Sequence, residues 1–309
     1  MQAAAPRAAQ AVRRCAWAKV NLYLHVVGRR PDGYHDLDSL VVFAGLGDVL
    51  TVTPGATLDL SVSGDFAAAV PSDPSNLVLR AAEGLRALAG PERGAHISLD
   101  KRLPAAAGIG GGSADAAATI EGLAALWDLA PAPDRLAALA ESLGADVPVC
   151  LYGRPAFVSG LGERIERAPP LPCAWLVLIN PGVPLATPRV FAAREGAFSA
   201  PMPWRDPDPD LHALVERLEH ARNDLEPPAR ALAPVIGDAI EALRGLPGCR
   251  LARMSGSGAT CFGIFATAQT ARAAAAELQA SQPEWWVRAA PMLHGKIEQS
   301  WWAGAAAIC

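Results

Sequence analysis

The sequence lacks the cysteine pattern of a disulfide scaffold or of a zinc site. Its six cysteines are scattered along the chain, none forms a Cys-x-x-Cys pair, and no histidine cluster accompanies them. This pattern is typical of free thiols in a reducing compartment, so we expect a cytoplasmic protein.

Excess charge and long apolar runs are also missing. The chain has 27 Lys and Arg against 31 Asp and Glu, a net charge of −4, which argues against a nucleic-acid-binding surface. No apolar run reaches the length of a membrane span, so no membrane association is expected. Residues 1–14 are rich in alanine, contain no acid and lack the apolar core of a secretory signal, and we expect a disordered N-terminal extension there.

The rest of the chain mixes strands and helices without a repeat, which predicts an α+β fold. A proline-rich stretch at 168–172 is the expected boundary between an N-terminal domain (15–168) and a C-terminal domain (169–309). Alternation over 16–30 predicts a half-buried strand with Lys19, Asn21, Tyr23 and His25 on its polar face. We further expect strands at 37–43, 48–53 and 147–152, a helix at 229–243 and a surface loop at 200–210.

A run of glycines between a predicted strand and a predicted helix is the most informative feature of the chain. It lies in the segment LPAAAGIGGGSADAAA at 103–118. Glycine adopts positive φ without steric cost and lets the backbone approach a bulky anion. The helix that follows offers unpaired N–H groups and the positive end of its dipole, with Ser113 as the expected N-cap and Asp115 behind it. The segment therefore predicts a phosphate-binding loop.

This loop differs from the two common phosphate loops. A Walker loop ends in Gly-Lys-Ser/Thr, whereas Gly112 is followed directly by Ser113. A dinucleotide-binding loop requires a glycine where Ser113 stands.

The same residues resemble the loop of the GHMP kinases, the superfamily of galactokinase, homoserine kinase, mevalonate kinase and phosphomevalonate kinase. Within it, the all-glycine version is most similar to the 4-diphosphocytidyl-2-C-methyl-D-erythritol kinases. The resemblance implies a two-domain GHMP kinase fold, with an N-terminal domain like domain 2 of ribosomal protein S5 and a ferredoxin-like C-terminal domain. It also implies that ATP binds at Pro104, Ala105, Ala106, Ala107, Gly108, Ile109, Gly110, Gly111, Gly112, Ser113 and Ala114.

Two further segments of the resemblance carry catalytic groups. Lys19 is the lysine of the segment Ala-Lys-Val-Asn-Leu, and a cation there can stabilise the transferring phosphoryl group. Asp146 lies in Gly-Ala-Asp-Val-Pro, where the family has its catalytic base. The alternatives are a solvated strand lysine and an aspartate that caps the next turn.

The resemblance implies a substrate site built from three other segments together with Asn21. Tyr34 and Phe191 are expected to sandwich a cytosine, with His35 bonded to its edge. Asn21 and Thr187 are expected to contact the substrate, as are Gly256 and Gly258 of the Ser-Gly-Ser-Gly turn. The alternatives for Tyr34, His35 and Phe191 are a turn, a surface and a core residue.

The expected function is ATP-dependent phosphorylation of a small cytidylated alcohol, with Mg²⁺ as the accompanying cation and Ser113 as a candidate contact for it. Homoserine kinase, mevalonate kinase, diphosphomevalonate decarboxylase and a non-catalytic nucleotide sensor remain alternatives. We expect a monomer or a homodimer that acts on a small molecule. The tryptophan pairs at 285–286 and 301–302 have no assigned role.

Overall fold

The computed structural model describes residues 11–71, 73–204 and 206–295, and these form an α+β fold. The strands are β1 (Val12–Arg29), β2 (His35–Pro54), β3 (Leu58–Ser63), β4 (Ala95–Asp100), β5 (Ala156–Gly160), β6 (Arg164–Arg167), β7 (Trp175–Asn180), β8 (Leu251–Met254), β9 (Cys261–Phe265) and β10 (Trp286–Leu293). The helices are α1 (Leu77–Ala89), α2 (Gly111–Leu126), α3 (Pro133–Leu143), α4 (Val147–Tyr152), α5 (Thr187–Ala192), α6 (Leu211–Glu219), α7 (Glu226–Leu232), α8 (Val235–Arg244) and α9 (Ala268–Ser281). No helix in these ranges is both long and apolar enough to span a bilayer.

One continuous sheet joins both halves of the chain in the order β3-β4-β2-β10-β7-β9-β8, and β1 and β5 also pair with β2. The long strand β2 spans both of the shorter strands predicted at 37–43 and 48–53. It pairs antiparallel with β1, β4, β5 and β10 along its length. Strand pairing between the halves is short, since β10 meets β2 at Met292–Ala44 and Leu293–Phe43.

The expected boundary at 168–172 falls between β6 and β7. The expected extension is too long at its C-terminal end, because β1 begins at Val12 and residues 12–14 pair with residues 50–52 of β2. Residues 1–10 and the tryptophans at 301 and 302 lie outside the described residues. Trp285 is buried and Trp286 is partly buried, both packed against apolar side chains.

Both faces of β1 are buried over the residues that matter for the site, which corrects the prediction of a half-buried strand. One face carries Val20, Leu22, Leu24 and Val26 into the core. The other face is covered as well, and its residues Lys19, Asn21, Tyr23 and His25 are all nearly inaccessible to solvent. Polar groups on that face must therefore find partners within the protein.

The prediction of a strand at 147–152 is wrong, because these residues form helix α4 with Pro148 in its first turn. Proline is tolerated at that position, and packing against α2 outweighs the β-branched composition. The helix predicted at 229–243 is two helices, since Pro234 has no N–H and separates α7 from α8. The loop at 200–210 is not wholly on the surface, because Trp204 is only 1% exposed and packs in the core.

Candidate active site

The glycine loop connects β4 to α2, as the sequence predicts. Gly108 (φ +73°) and Gly110 (φ +64°) hold left-handed conformations that favour glycine, and Ala106 (φ +50°) shares that region. The side chains of Ala107 and Ile109 are buried in the core, so the loop presents backbone to the outside.

The start of α2 corrects the expectation for Ser113. The N-cap is Gly110, and Ser113 is the third residue of the helix. Among the described residues, no side chain caps this helix end, so its N–H groups are left for a ligand. Asp115 points inward and is buried. An uncapped helix end behind a left-handed glycine is suited to bind an anion.

Two buried lysines lie beneath the loop. A Cβ placed on Gly110 would lie 3.1 Å from Cε of Lys19, and a Cβ on Gly111 would lie 3.1 Å from Nζ of Lys101. Both side chains thus approach the loop as closely as the missing glycine side chains permit. An uncapped helix N-terminus with the side chain of Lys19 beside it is suited to bind a phosphate chain.

Sequence reasoning missed the carboxylates that hold Lys101. Its Nζ donates hydrogen bonds to Asp48 and, at 2.7 Å, to Oδ2 of Asp115. Oδ1 of Asp48 also accepts from the backbone N–H groups of Arg102 (2.6 Å) and Leu103 (2.7 Å), which fixes the chain just before the loop. These contacts join three distant segments, so neither spacing nor periodicity could have revealed them.

Burial and ion pairing compete in the electrostatics of this cluster. Burial raises the pKa of Asp115 to about 7, because the carboxylate loses its water and lies near the like charge of Asp48, although Lys101 opposes the shift. Burial acts to lower the pKa of Lys101, but the two carboxylates outweigh it and raise that pKa above its ordinary value. The ammonium group therefore stays charged beneath the loop.

Lys19 and Asp146, which stand 127 residues apart in sequence, meet in the structure. Nζ of Lys19 donates to Oδ1 of Asp146 at 3.0 Å and to Oδ1 of Asn21 at 2.9 Å. Asp146 occupies the N-cap position of α4, yet its side chain makes no capping bond within the described part of the chain. It turns instead to Lys19 and remains 47% exposed, while Lys19 is 5% exposed. The carboxylate is thus accessible to a substrate, whereas the lysine is buried and held by its hydrogen bond to Asn21.

The Ser-Gly-Ser-Gly turn between β8 and β9 packs directly on the glycine loop. Oγ of Ser255 donates to the carbonyl of Gly108 at 3.1 Å and accepts from the N–H of Asn21 at 3.1 Å. A Cβ on Gly256 (φ +56°) would lie 2.7 Å from the carbonyl oxygen of Gly108. The backbone of this turn, which includes Gly258, therefore contacts the backbone of the loop.

Of the predicted substrate-binding residues, Thr187 contacts the glycine turn, whereas Phe191 and His35 contact each other. Thr187, at the start of α5, contacts Oγ of Ser257 through Oγ1 at 2.7 Å, which ties it to the glycine turn. Phe191 of the same helix stacks on His35, with ring centroids 5.2 Å apart and planes at 23°. Tyr34 is 65% exposed in the turn before β2. The structure thus pairs Phe191 with His35, while the Tyr34 ring projects towards solvent.

Comparison with known proteins identifies the family. The sequence profile for the N-terminal domain of GHMP kinases matches residues 76–154, and the profile for their C-terminal domain matches residues 209–284. A 4-diphosphocytidyl-2-C-methyl-D-erythritol kinase from Paramagnetospirillum magneticum is 56% identical over 276 residues, covering 89% of this chain and 96% of the relative. One from Rhodospirillum rubrum is 50% identical over 282 residues, covering 91% and 93%.

The chain belongs to the 4-diphosphocytidyl-2-C-methyl-D-erythritol kinases of the GHMP family. A crystal structure of 4-(cytidine 5'-diphospho)-2C-methyl-D-erythritol kinase superposes with a TM-score of 0.76 at 37% identity, covering 92% of this chain and all of that one. Homoserine kinase from Cytophaga hutchinsonii, at 16% identity and a TM-score of 0.69, shares the fold. The expected α+β GHMP kinase fold is confirmed, and the protein is a small-molecule kinase that uses ATP.

Proposed function

We propose that this GHMP kinase transfers the terminal phosphoryl group of ATP to the 2-hydroxyl of 4-diphosphocytidyl-2-C-methyl-D-erythritol. The products are the 2-phosphate and ADP, in the non-mevalonate pathway to isoprenoid precursors. The observation that carries the proposal is the 3.0 Å contact between Nζ of Lys19 and Oδ1 of Asp146, beside a glycine loop whose following helix has no side-chain cap in the described residues. A nucleotide sensor would need the loop but would have no use for that pair.

Asp146 acts as the general base. As the acceptor oxygen bonds to phosphorus, its proton passes to the accessible carboxylate of Asp146, and ADP leaves with the electron pair of the broken P–O bond. Lys19 stabilises the negative charge that develops on the acceptor and on the transferring group. Asn21 holds Lys19 in place through the 2.9 Å hydrogen bond to its ammonium group.

The glycine loop and the first turn of α2 hold the phosphates of ATP through backbone N–H groups, with Lys101 beneath them. Mg²⁺ retains several waters and is usually held by substrate phosphates plus one or two protein oxygens. The site fits that demand, because the half-buried Ser113 offers a hydroxyl in the first turn of α2. In the described residues, no group of three or more histidine, cysteine or acidic side chains forms a separate metal site. When bound, the ion would neutralise phosphate charge.

The cytidine moiety is proposed to bind between Tyr34 and Phe191, with His35 at the edge of the base. This requires His35 to leave the face of the Phe191 ring, on which it stacks in this structure. Burial of His35, with the nearby charges of Arg29 and Arg194, lowers the pKa of the imidazole below 6.5. The ring is therefore neutral at pH 7 and retains one acceptor nitrogen for an amino group of the base. Thr187, Gly256 and Gly258 line the path from the base pocket to the glycine loop.

The proposal is tested by measuring ADP release from purified protein with the cytidylated alcohol, homoserine and mevalonate as acceptors. We expect ADP to form with the cytidylated alcohol and not with the other two. Efficient turnover of homoserine or mevalonate, without turnover of the cytidylated alcohol, would assign the chain to another GHMP activity.

A further inference from the structure

Asn223 is a buried amide whose nitrogen binds a distant part of the chain and whose oxygen binds the backbone two residues further on. It lies between α6 and α7 and is only 3% exposed. Its Nδ2 donates to the carbonyl oxygens of Met254 and Gly256, both at 2.8 Å. Its Oδ1 accepts from the N–H of Leu225 at 2.9 Å, which fixes the orientation of the amide.

The two carbonyls that Asn223 binds bracket Ser255 at the start of the glycine turn. That turn contacts Gly108 backbone to backbone, since a Cβ on Gly108 would lie 2.6 Å from the carbonyl oxygen of Ser255. Ser257 of the same turn contacts Thr187 at 2.7 Å. A displacement of the turn therefore moves both the phosphate loop and the substrate side of the site.

We propose that Asn223 is a positioning residue for phosphoryl transfer, acting through the glycine turn on the loop that holds ATP. The assignment rests on the proposed function. A neutral amide combines two N–H donors with an acceptor on one short side chain, and no other side chain of similar size does so. An aspartate of the same shape would place a carboxylate against two carbonyl oxygens and push the turn away from residue 223.

The test compares Asn223→Asp with Ile240→Ala, a substitution of a fully buried residue of α8 outside the site. We measure melting temperature, binding of a non-hydrolysable ATP analogue by calorimetry, and kcat and KM. For Asn223→Asp we expect weaker binding of the analogue and turnover lowered by up to about 10²-fold, the cost of a misplacement of about 1 Å. Ile240→Ala is expected to lower the melting temperature and leave binding and kcat unchanged.

A pH profile separates positioning from a general loss of structure. Burial raises the pKa of the carboxyl group that Asn223→Asp introduces, and below that pKa the group is protonated and can donate to one of the two carbonyls. The turnover of Asn223→Asp relative to wild type should therefore rise as the pH falls from about 8 to about 6. If Asn223→Asp does not fold, Asn223→Ser, which keeps one hydrogen-bond donor, takes its place. Asn223→Ser should lose less ATP-analogue affinity and less turnover than Asn223→Ala.

Wild-type binding and kcat in folded Asn223→Asp would overturn the assignment. The assignment would also be overturned if Ile240→Ala lost as much binding and kcat as Asn223→Asp at an equal drop in melting temperature. A third contradicting result is a reduced turnover of Asn223→Asp whose ratio to wild type does not change with pH. If wild type itself does not turn over the cytidylated alcohol, the proposed function fails. Calorimetry with the ATP analogue then still tests Asn223, because that measurement needs no acceptor.

Discussion

Replacing Asp146 with asparagine is the perturbation that separates catalysis from structure most cleanly. Asparagine has the same shape and can still contact Lys19, but it cannot take the proton of the acceptor hydroxyl. Lys19 keeps its 2.9 Å hydrogen bond to Asn21, so the ammonium group stays in position. Nucleotide binding should also be preserved, because Asp146 lies at the start of α4 rather than in the glycine loop.

Asp146→Asn should affect folding stability far less than it affects turnover. The pair has one partner that is 47% exposed, and such ion pairs contribute about 0–1 kcal/mol to stability. Loss of a general base typically lowers turnover by about 10²- to 10⁴-fold. At about 1.36 kcal/mol for each factor of ten, this is roughly 2.7–5.4 kcal/mol in the barrier. The effect on turnover should therefore far exceed the effect on folding.

The assay is steady-state ADP release at saturating ATP and acceptor, with circular dichroism and ATP-analogue calorimetry on the same samples. Asp134→Asn is the matched control, because Asp134 lies in the first turn of neighbouring α3 and outside the site. We expect normal turnover in the control and a large loss in Asp146→Asn. Near-normal turnover in a folded Asp146→Asn would refute its role as the base.

Three further predictions concern the loop, the base pocket and acid stability. Gly110→Ala should weaken binding of an ATP analogue, because the added Cβ would lie 3.1 Å from Cε of Lys19. The left-handed backbone should cost Gly110→Ala, and Gly153→Ala alike, about 1–2 kcal/mol of stability. Phe191→Ala should weaken binding of the cytidylated substrate by about 5- to 150-fold, since base stacking is worth about 1–3 kcal/mol. Asp224→Asn should be less stable than wild type at neutral pH, by a margin that shrinks below about pH 4, as denaturant titrations at several pH values would measure.

The sign of the acid-stability prediction follows from the partners of Asp224. Burial acts to raise the pKa of Asp224, but hydrogen bonds from Ser199, Arg222 and the N–H of Val26 outweigh it and hold that pKa below its usual 3.8. Between the two values the unfolded chain binds more protons than the folded chain, so this stabilisation is lost as the pH falls. A margin that grows on acidification would contradict the reasoning.

The other two predictions have their own controls. Gly153 (φ +59°) lies at the end of α4, and its missing Cβ would be no closer than 3.8 Å to a neighbouring atom, so Gly153→Ala should lose stability and keep nucleotide affinity. Equal affinity in Gly110→Ala and wild type would remove this loop from the nucleotide site. For Phe191→Ala, an ATP analogue should bind as it does to wild type. Equal losses for both ligands would indicate a packing role, and no loss for either would rule out the base sandwich.

Local chemistry made the loop predictable from the sequence. Glycines between a strand and a helix have few explanations, and the structure has a strand, loop and helix at 95–126 as expected. The resemblance to a known family then singled out Lys19 and Asp146, which composition and spacing could not have brought together. The strand expected at 147–152 failed because a short apolar run fits a buried helix as well as a strand.

What the sequence could not predict depends on contacts between distant segments. Nothing local marks Asp48 as a partner of Lys101, or Asn223 as the residue that binds the carbonyl of Gly256. The same holds for β1, whose polar residues alternate as if they faced solvent although other segments cover them. Their burial is decided by tertiary packing, which period-two alternation does not report.

The identity of the phosphoryl acceptor can be read from the product itself. Purified protein is incubated with ATP, Mg²⁺ and 4-diphosphocytidyl-2-C-methyl-D-erythritol, and the product is analysed by phosphorus NMR. We expect one new phosphate monoester, on the 2-hydroxyl, formed in step with ADP and absent with Asp146→Asn. Absence of that monoester with folded, ATP-binding wild-type protein would contradict the proposed function.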